Sequence, residues 1–188
     1  MTIACLGWGS LCWCPGSLPV AEKNWRPDGP SLRVEFARQS DTKTSDNGRI
    51  TLVLVESGPV CAVLWVKLDV PDLHAAVEAL AAREGIKDKK EESIGRWPST
   101  PGRFYSHSKE IAEWATRQGL DGVVWTALSC GMKNGRGTMP SLKQILDHLR
   151  KLRGEDRERA VKYIRMAPAQ IVTPFREALE ADLRDECA

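Results

Sequence analysis

A little over a third of the way along this chain the hydrophobic period lengthens from two to about 3.6 residues, and that switch limits the folds open to it. Before the switch, residues 32–38 alternate apolar and polar side chains, as a half-buried strand does. Residues 49–55 and 60–68 are two further runs rich in β-branched side chains, and Ser57-Gly58-Pro59 between them predicts a hairpin. The apolar run Ile3-Ala4-Cys5-Leu6 predicts a first strand, and the polar residues 40–48 read as a mobile loop. After the switch, Pro71 fits the first position of a helix. Leu73, Val77 and Leu80 then stack on one face, and Gly85 ends the element.

The rest of the chain returns only once to strand character. Residues 86–92 read as a charged loop, 109–118 as a second helix closed by Gly119, and 123–128 as one more strand. Ser141 can cap a helix carrying Leu142, Ile145, Leu146, Leu149 and Leu152 on one side. Residues 155–166 follow Gly154, and Thr173-Pro174 opens a last helix with Phe175, Leu179 and Leu183 on its stripe. No linker rich in Gly, Ser or Pro divides the chain. The expectation is an α+β fold in a single domain over residues 1–188, with strands and crossing helices in 1–140 and a helical extension, 141–188, packed on the same sheet.

Charge and cysteine usage mainly exclude. A net charge of +2 does not call for nucleic acid or an acidic partner. No apolar run approaches the ~20 residues needed to cross a bilayer. No basic segment followed by an apolar stretch opens the sequence, so a cytoplasmic protein with no membrane partner is expected. The six cysteines follow no regular spacing, Cys12 and Cys14 form a Cys-x-Cys, and none of the three histidines pairs with another at ligand spacing. Neither a disulfide framework nor a metal site nor a cofactor is expected. Seven tryptophans against three phenylalanines points to a Trp-rich core. Trp is also enriched at interfaces, which leaves room for a homodimer.

Two places carry candidate chemistry. Gly7-Trp8-Gly9-Ser10-Leu11 follows the first strand directly. A strand running into such a turn can gather backbone N–H groups in a tight arc and cradle an anion. The same residues would also serve as a plain tight turn with Trp8 in the core. Glu84 continues the series Leu73, Val77, Leu80 at helical spacing, which puts a carboxylate on the apolar face of its helix and at the negative end of the helix dipole. Burial and dipole both disfavour its charge and so raise its pKa, which suits a general base working near neutrality. The alternative is a frayed helix end, with Glu84 in water beside Arg83 or Lys87.

The glycine turn resembles the Tyr-Gly-Ser turn of the γ-glutamylcyclotransferase-like family, which includes the ChaC-like enzymes. Gly48-Arg49-Ile50-Thr51-Leu52, leading into a strand pair, and Ala82-Arg83-Glu84-Gly85-Ile86 at a helix end follow in the family's order. The similarity covers about the first half of the chain, and nothing after about Trp97 matches. Trp8 stands where the family usually carries Tyr, and indole offers one donor and no acceptor. The resemblance implies a small mixed β-barrel with flanking helices. It also implies an enzyme without metal or cofactor that closes a γ-glutamyl amine or peptide to 5-oxoproline. Glu84 would be the general base, and Gly7, Trp8, Gly9, Ser10 and Leu11 would hold the substrate α-carboxylate. The rival is a non-catalytic small-molecule-binding or interaction module on the same fold.

Other residues offer less. Arg96, in Ile94-Gly95-Arg96-Trp97-Pro98, could meet a substrate carboxylate bidentately at a pocket mouth, or sit in a plain loop anchored by Trp97. Residues 131–137 form a basic, glycine-rich loop without the Gly-Lys-Ser/Thr ending of a phosphate-binding loop. Ser106 or Ser108 can cap a helix. The charged stretch around Arg150, Arg153, Arg157 and Arg159 is interleaved with acids and reads as a solvated face. Cys12 lies beside the glycine turn with no basic partner in view.

Overall fold

In the computed structural model, which describes residues 1–40 and 48–185, the first strand, β1 (Ile3–Gly7), is buried along its whole length. Its alternation divides two cores: Ala4 and Leu6 face one cluster, Ile3 and Cys5 the other. Such burial on both faces is what an uninterrupted apolar run calls for. β1 lies inside a four-stranded sheet. It pairs antiparallel with β5 (Leu64–Leu68) and parallel with β7 (Gly122–Thr126), and β6 (Ile94–Trp97) forms the edge beyond β7. The helix α1 (Leu73–Glu84) covers the Ile3–Cys5 face through Ala76, Val77, Leu80 and Ala81.

A second, three-stranded antiparallel sheet has β2 (Ser31–Gln39) at its centre, with β3 (Ile50–Leu54) on one side and β4 (Val60–Ala62) on the other. The expected hairpin between residues 49–55 and 60–68 is therefore absent. The chain crosses β2 at Ser57-Gly58-Pro59: Val55 N–H donates to Arg33 O on one edge, and Val34 N–H donates to Pro59 O on the other. The second run also splits at Val63, so β4 joins the small sheet and β5 the large one. β2 bulges between Phe36 and Arg38, and the groups freed there bond to Gly131, whose N–H donates to Ala37 O at 2.7 Å. The glycine-rich 131–137 loop is thus pinned to the sheet. Among the described residues the ladders form these two sheets and do not close into one ring.

The remaining helices are α2 (Lys90–Ser93), α3 (Ser108–Arg117), α4 (Leu142–Lys151), α5 (Gly154–Met166) and α6 (Pro174–Asp185). Their starts follow local chemistry. Asp72, not Pro71, caps α1, accepting from Ala75 N–H at 2.8 Å, and Pro71 lies just outside the helix. Ser141 and Gln144 form a reciprocal capping box on α4. His107 stands at the cap position of α3, while Ser108 Oγ donates to Tyr105 O. The largest apolar cluster joins Ala4, Leu6, Val123 and Trp125 of the large sheet to Leu32, Val34 and Phe36 of β2 and to buried residues of α3 through α6. Glu35, buried at mid-strand in β2, fastens α6 to it. One carboxylate oxygen takes the Thr173 hydroxyl and Phe36 N–H, and the other takes Phe175 N–H.

All seven tryptophans are buried or half-buried. Trp65 and Trp114 meet edge to face at 5.3 Å, and both indole N–H groups donate to Asp28, which holds the 22–30 segment down. The expected loop at residues 40–48 lies mainly outside the described residues, as does Cys187. No described helix is long and apolar enough to cross a membrane.

Candidate functional site

β1 ends at Gly7, and the chain turns at once into a single 3-10 turn at Ser10–Cys12. Its first bond runs from Cys12 N–H to Gly9 O, so the N–H groups of Ser10 and Leu11 have no acceptor within the turn. Trp8 is buried, and its indole N–H donates to Leu52 O at 3.2 Å, tying the turn to β3. Ser10 is half-buried. These residues form part of the wall of a cavity of about 730 Å³. Glu84, at the end of α1, lines the same cavity.

The end of α1 is anchored to the segment that follows the glycine turn. Gly85 takes the left-handed conformation at φ 69° and stops the helix, which a side chain would resist. Arg83 then reaches across: Nη2 donates to Cys14 O at 2.6 Å and Nε to Pro15 O at 3.2 Å, while Nη1 pairs with Glu84 Oε1 at 3.0 Å. Glu84 does pair with Arg83, as the frayed-end reading supposed. Its side chain is nonetheless only 20% exposed, so it is not in bulk water. Burial pushes its pKa up, and the charges of Arg83 and Arg49 pull the other way without cancelling the rise.

Two residues given no role from the sequence complete the site, Tyr163 from outside the quoted motifs and Arg49 from within one of them. Tyr163 of α5 is buried with its hydroxyl against Gly9, where a Cβ would overlap it. Leu52 N–H donates to that hydroxyl at 3.3 Å, which leaves the phenolic proton to serve as a donor. Burial raises the Tyr163 pKa, so the ring stays neutral. A phenolic oxygen therefore stands at the glycine turn although Trp8 itself offers none. Arg49, just before β3, lays its guanidinium 5.1 Å from the centre of the Tyr163 ring. Its Nε is buried and has no hydrogen-bond partner among the described residues.

The sequence candidates thus divide. Gly7, Trp8, Gly9, Ser10, Leu11 and Glu84 come together around one cavity. Arg96 does not line it: on the edge strand β6, it pairs with Glu91 at 2.8 Å and bonds Thr100 Oγ1. Residues 94–97, read as a loop, are a strand whose Gly95 fits against the Trp125 ring. Cys12 sits beside the turn, but burial pushes its thiol up to about 12, so it is no thiolate nucleophile near neutrality. Among the described residues no group of three His, Cys, Asp or Glu side chains is arranged to hold a metal ion. Tyr163 had one sequence signal, its place with Ala160 and Ile164 on the buried stripe of α5.

No family profile matches this sequence, and no curated protein matches it. Among solved structures, the chain is similar to a yeast γ-glutamyl cyclotransferase specific to glutathione. The TM-score is 0.52 and the identity 14%, with all of both chains covered. At that identity the likeness concerns the fold. It extends beyond the first half, where the motifs lie, and makes this chain a mixed α+β protein of γ-glutamylcyclotransferase-like fold.

Proposed function

We propose that this protein is a γ-glutamyl cyclotransferase. The observation that carries the reading is a largely buried carboxylate with a raised pKa, Glu84, lining one cavity with the N–H groups of the turn after β1. The substrate is a γ-glutamyl amine or peptide. Its α-carboxylate rests on the N–H groups of Ser10 and Leu11 and on the Ser10 hydroxyl. Its α-ammonium faces Glu84.

Glu84 takes a proton from the ammonium. The freed amine attacks the γ-carbonyl carbon of the same molecule, forming the new C–N bond of a five-membered lactam. As the tetrahedral intermediate collapses, the old C–N bond breaks and the proton on Glu84 passes to the departing nitrogen; the ring nitrogen then gives its second proton to Glu84, which hands it on so that the amine leaves as an ammonium. The products are 5-oxoproline and a free amine or shortened peptide, with no water consumed and no change of oxidation state. Both reacting groups belong to one molecule, so holding them in the attack geometry supplies much of the acceleration. The Tyr163 hydroxyl, beside the turn, is placed to donate to an oxygen of the bound γ-glutamyl group.

The test is incubation with a panel of γ-glutamyl amines, γ-glutamyl dipeptides and glutathione, with 5-oxoproline followed by mass spectrometry. Release of 5-oxoproline from at least one substrate is expected. Its absence throughout would favour the binding-module reading, for which Trp8, locked to Leu52 O, offers a rigid cavity wall.

A further inference from the structure

Two thiols stand on the segment that fastens Glu84 to the glycine turn. Cys12 closes the 3-10 turn, Trp13 caps it, and Cys14 follows. All three hold the segment in place. Cys12 N–H donates to Gly9 O at 3.0 Å, Cys14 N–H donates to Ser10 O at 2.8 Å, and Cys14 O accepts Arg83 Nη2. Arg83 in turn pairs with Glu84. Trp13 packs edge to face on the Tyr163 ring, with 5.4 Å between centroids.

The two sulfurs are close along the chain and kept apart by the turn. Residues two apart have Cα atoms within about 7 Å of each other in any backbone conformation, which is disulfide reach. On a helical turn, however, positions i and i+2 do not face each other. Cys14 is exposed, whereas Cys12 Sγ turns inward against Gly7, 2.9 Å from where a Cβ on that glycine would lie. A bond between the two sulfurs therefore requires residues 10–14 to leave the turn.

We infer that Cys12 and Cys14 form a reversible disulfide, and that forming it opens the turn and switches the site off. An oxidant of the peroxide class meets Cys14 first, because Cys14 is the exposed thiol. The Cys14 sulfur, as thiolate, attacks one peroxide oxygen; the O–O bond breaks and Cys14 becomes a sulfenic acid. When the turn opens, Cys12 leaves its inward place, gives up its proton and attacks the Cys14 sulfur. Hydroxide departs and takes up a proton. Two thiols and one peroxide thus give one disulfide and two waters. A dithiol reductant reverses the change by thiol–disulfide exchange. The opened segment carries Cys14 O away from Arg83 and Trp13 away from Tyr163, and so loosens Glu84 and the N–H groups of Ser10 and Leu11 together. The disulfide stands on the turn geometry; its effect on activity rests on the cyclotransferase reading.

The test treats the full chain with hydrogen peroxide, then with dithiothreitol, and maps its disulfides by mass spectrometry at each stage. Hydrogen exchange follows the amides of Cys12 and Cys14. Release of 5-oxoproline from the best thiol-free substrate of the γ-glutamyl panel follows the site. Peroxide is expected to give an intramolecular Cys12–Cys14 bond, faster exchange at both amides and a fall in release of about 10²-fold. Dithiothreitol should reverse all three. Cys14→Ser and Cys12→Ala, each shown to be folded by thermal unfolding, should keep the parent's rate before and after peroxide.

A Cys5–Cys12 bond in place of the Cys12–Cys14 bond, or a Cys14 that goes on to sulfinic acid, overturns the inference. So does a Cys12–Cys14 bond formed with exchange unchanged, or a Cys14→Ser protein that loses activity in peroxide as the parent does. A reduced protein that releases no 5-oxoproline ends the enzyme reading, while mapping and exchange still decide the disulfide.

Discussion

Glu84 is pulled in opposite directions, by burial towards the neutral acid and by Arg83 and Arg49 towards the carboxylate, and burial wins. The consequence for stability has a definite sign. A carboxyl whose folded pKa is raised contributes stability that is full below its unfolded pKa and is lost as pH rises through the folded pKa. Glu84→Gln should therefore unfold at the same temperature as the parent in acid and at a higher one at pH 8, as calorimetric scans at the two pH values would show. A parent that is the more stable at pH 8 would mean that the Arg83 pair outweighs desolvation. Gly9 offers a second check, because the atoms nearest a Cβ there belong to the Tyr163 ring and hydroxyl. Gly9→Ala should cost about 1–3 kcal/mol by overpacking, and Tyr163→Phe, which removes the hydroxyl in the way, should recover most of it in the double variant. Chemical denaturation of the four proteins in the cycle measures that coupling. At this scale the sequence showed Glu84, because a carboxylate interrupted an apolar stripe. It did not show that Tyr163 meets Leu52, since the two are 111 residues apart and no local period records such a contact.

At the scale of elements, the join between α6 and β2 depends on one buried acid. Thr173 both donates to Glu35 and accepts Arg176 N–H at the start of α6. Thr173→Val keeps the shape and removes both bonds, so it should lower stability by about 1–3 kcal/mol. Hydrogen exchange should locate the loosening at the first turn of α6 rather than throughout the fold. Helix boundaries were largely legible beforehand, because caps and glycine stops are local: Ser141 and Gly85 act where the pattern put them. Strand pairing was not. Residues 49–55 and 60–68 have the composition and the turn of a hairpin, yet β2 takes the first run on one edge and residues 60–62 on the other, while residues 64–68 pair with β1. Periodicity gives the face of a strand and says nothing of its neighbour. The short run 94–97 went unnoticed as a strand because its glycine, needed against Trp125, breaks the β pattern.

Across the whole molecule, the helices after residue 140 belong to the main core. Ile145, Leu149, Tyr163, Ile164, Leu179 and Leu183 share one cluster with Ala4, Leu6 and Phe36. Removing everything after Pro140 would strip one side from that cluster and take Tyr163 from the glycine turn. The shortened chain should show no cooperative thermal transition, whereas the full chain should show one. A shortened chain that melts sharply would mean that the first 140 residues fold alone. The same packing brings the site together: β1 gives the turn, α1 the carboxylate, the start of β3 the arginine and α5 the phenol. The measurement that bears most directly on the proposed chemistry is the rate of 5-oxoproline release by the full chain and by Glu84→Gln, on the best substrate of the γ-glutamyl panel. Loss of about 10²–10⁴-fold, with substrate binding and folding retained, is expected of a general base. A Glu84→Gln protein that releases 5-oxoproline at the parent's rate would contradict the account.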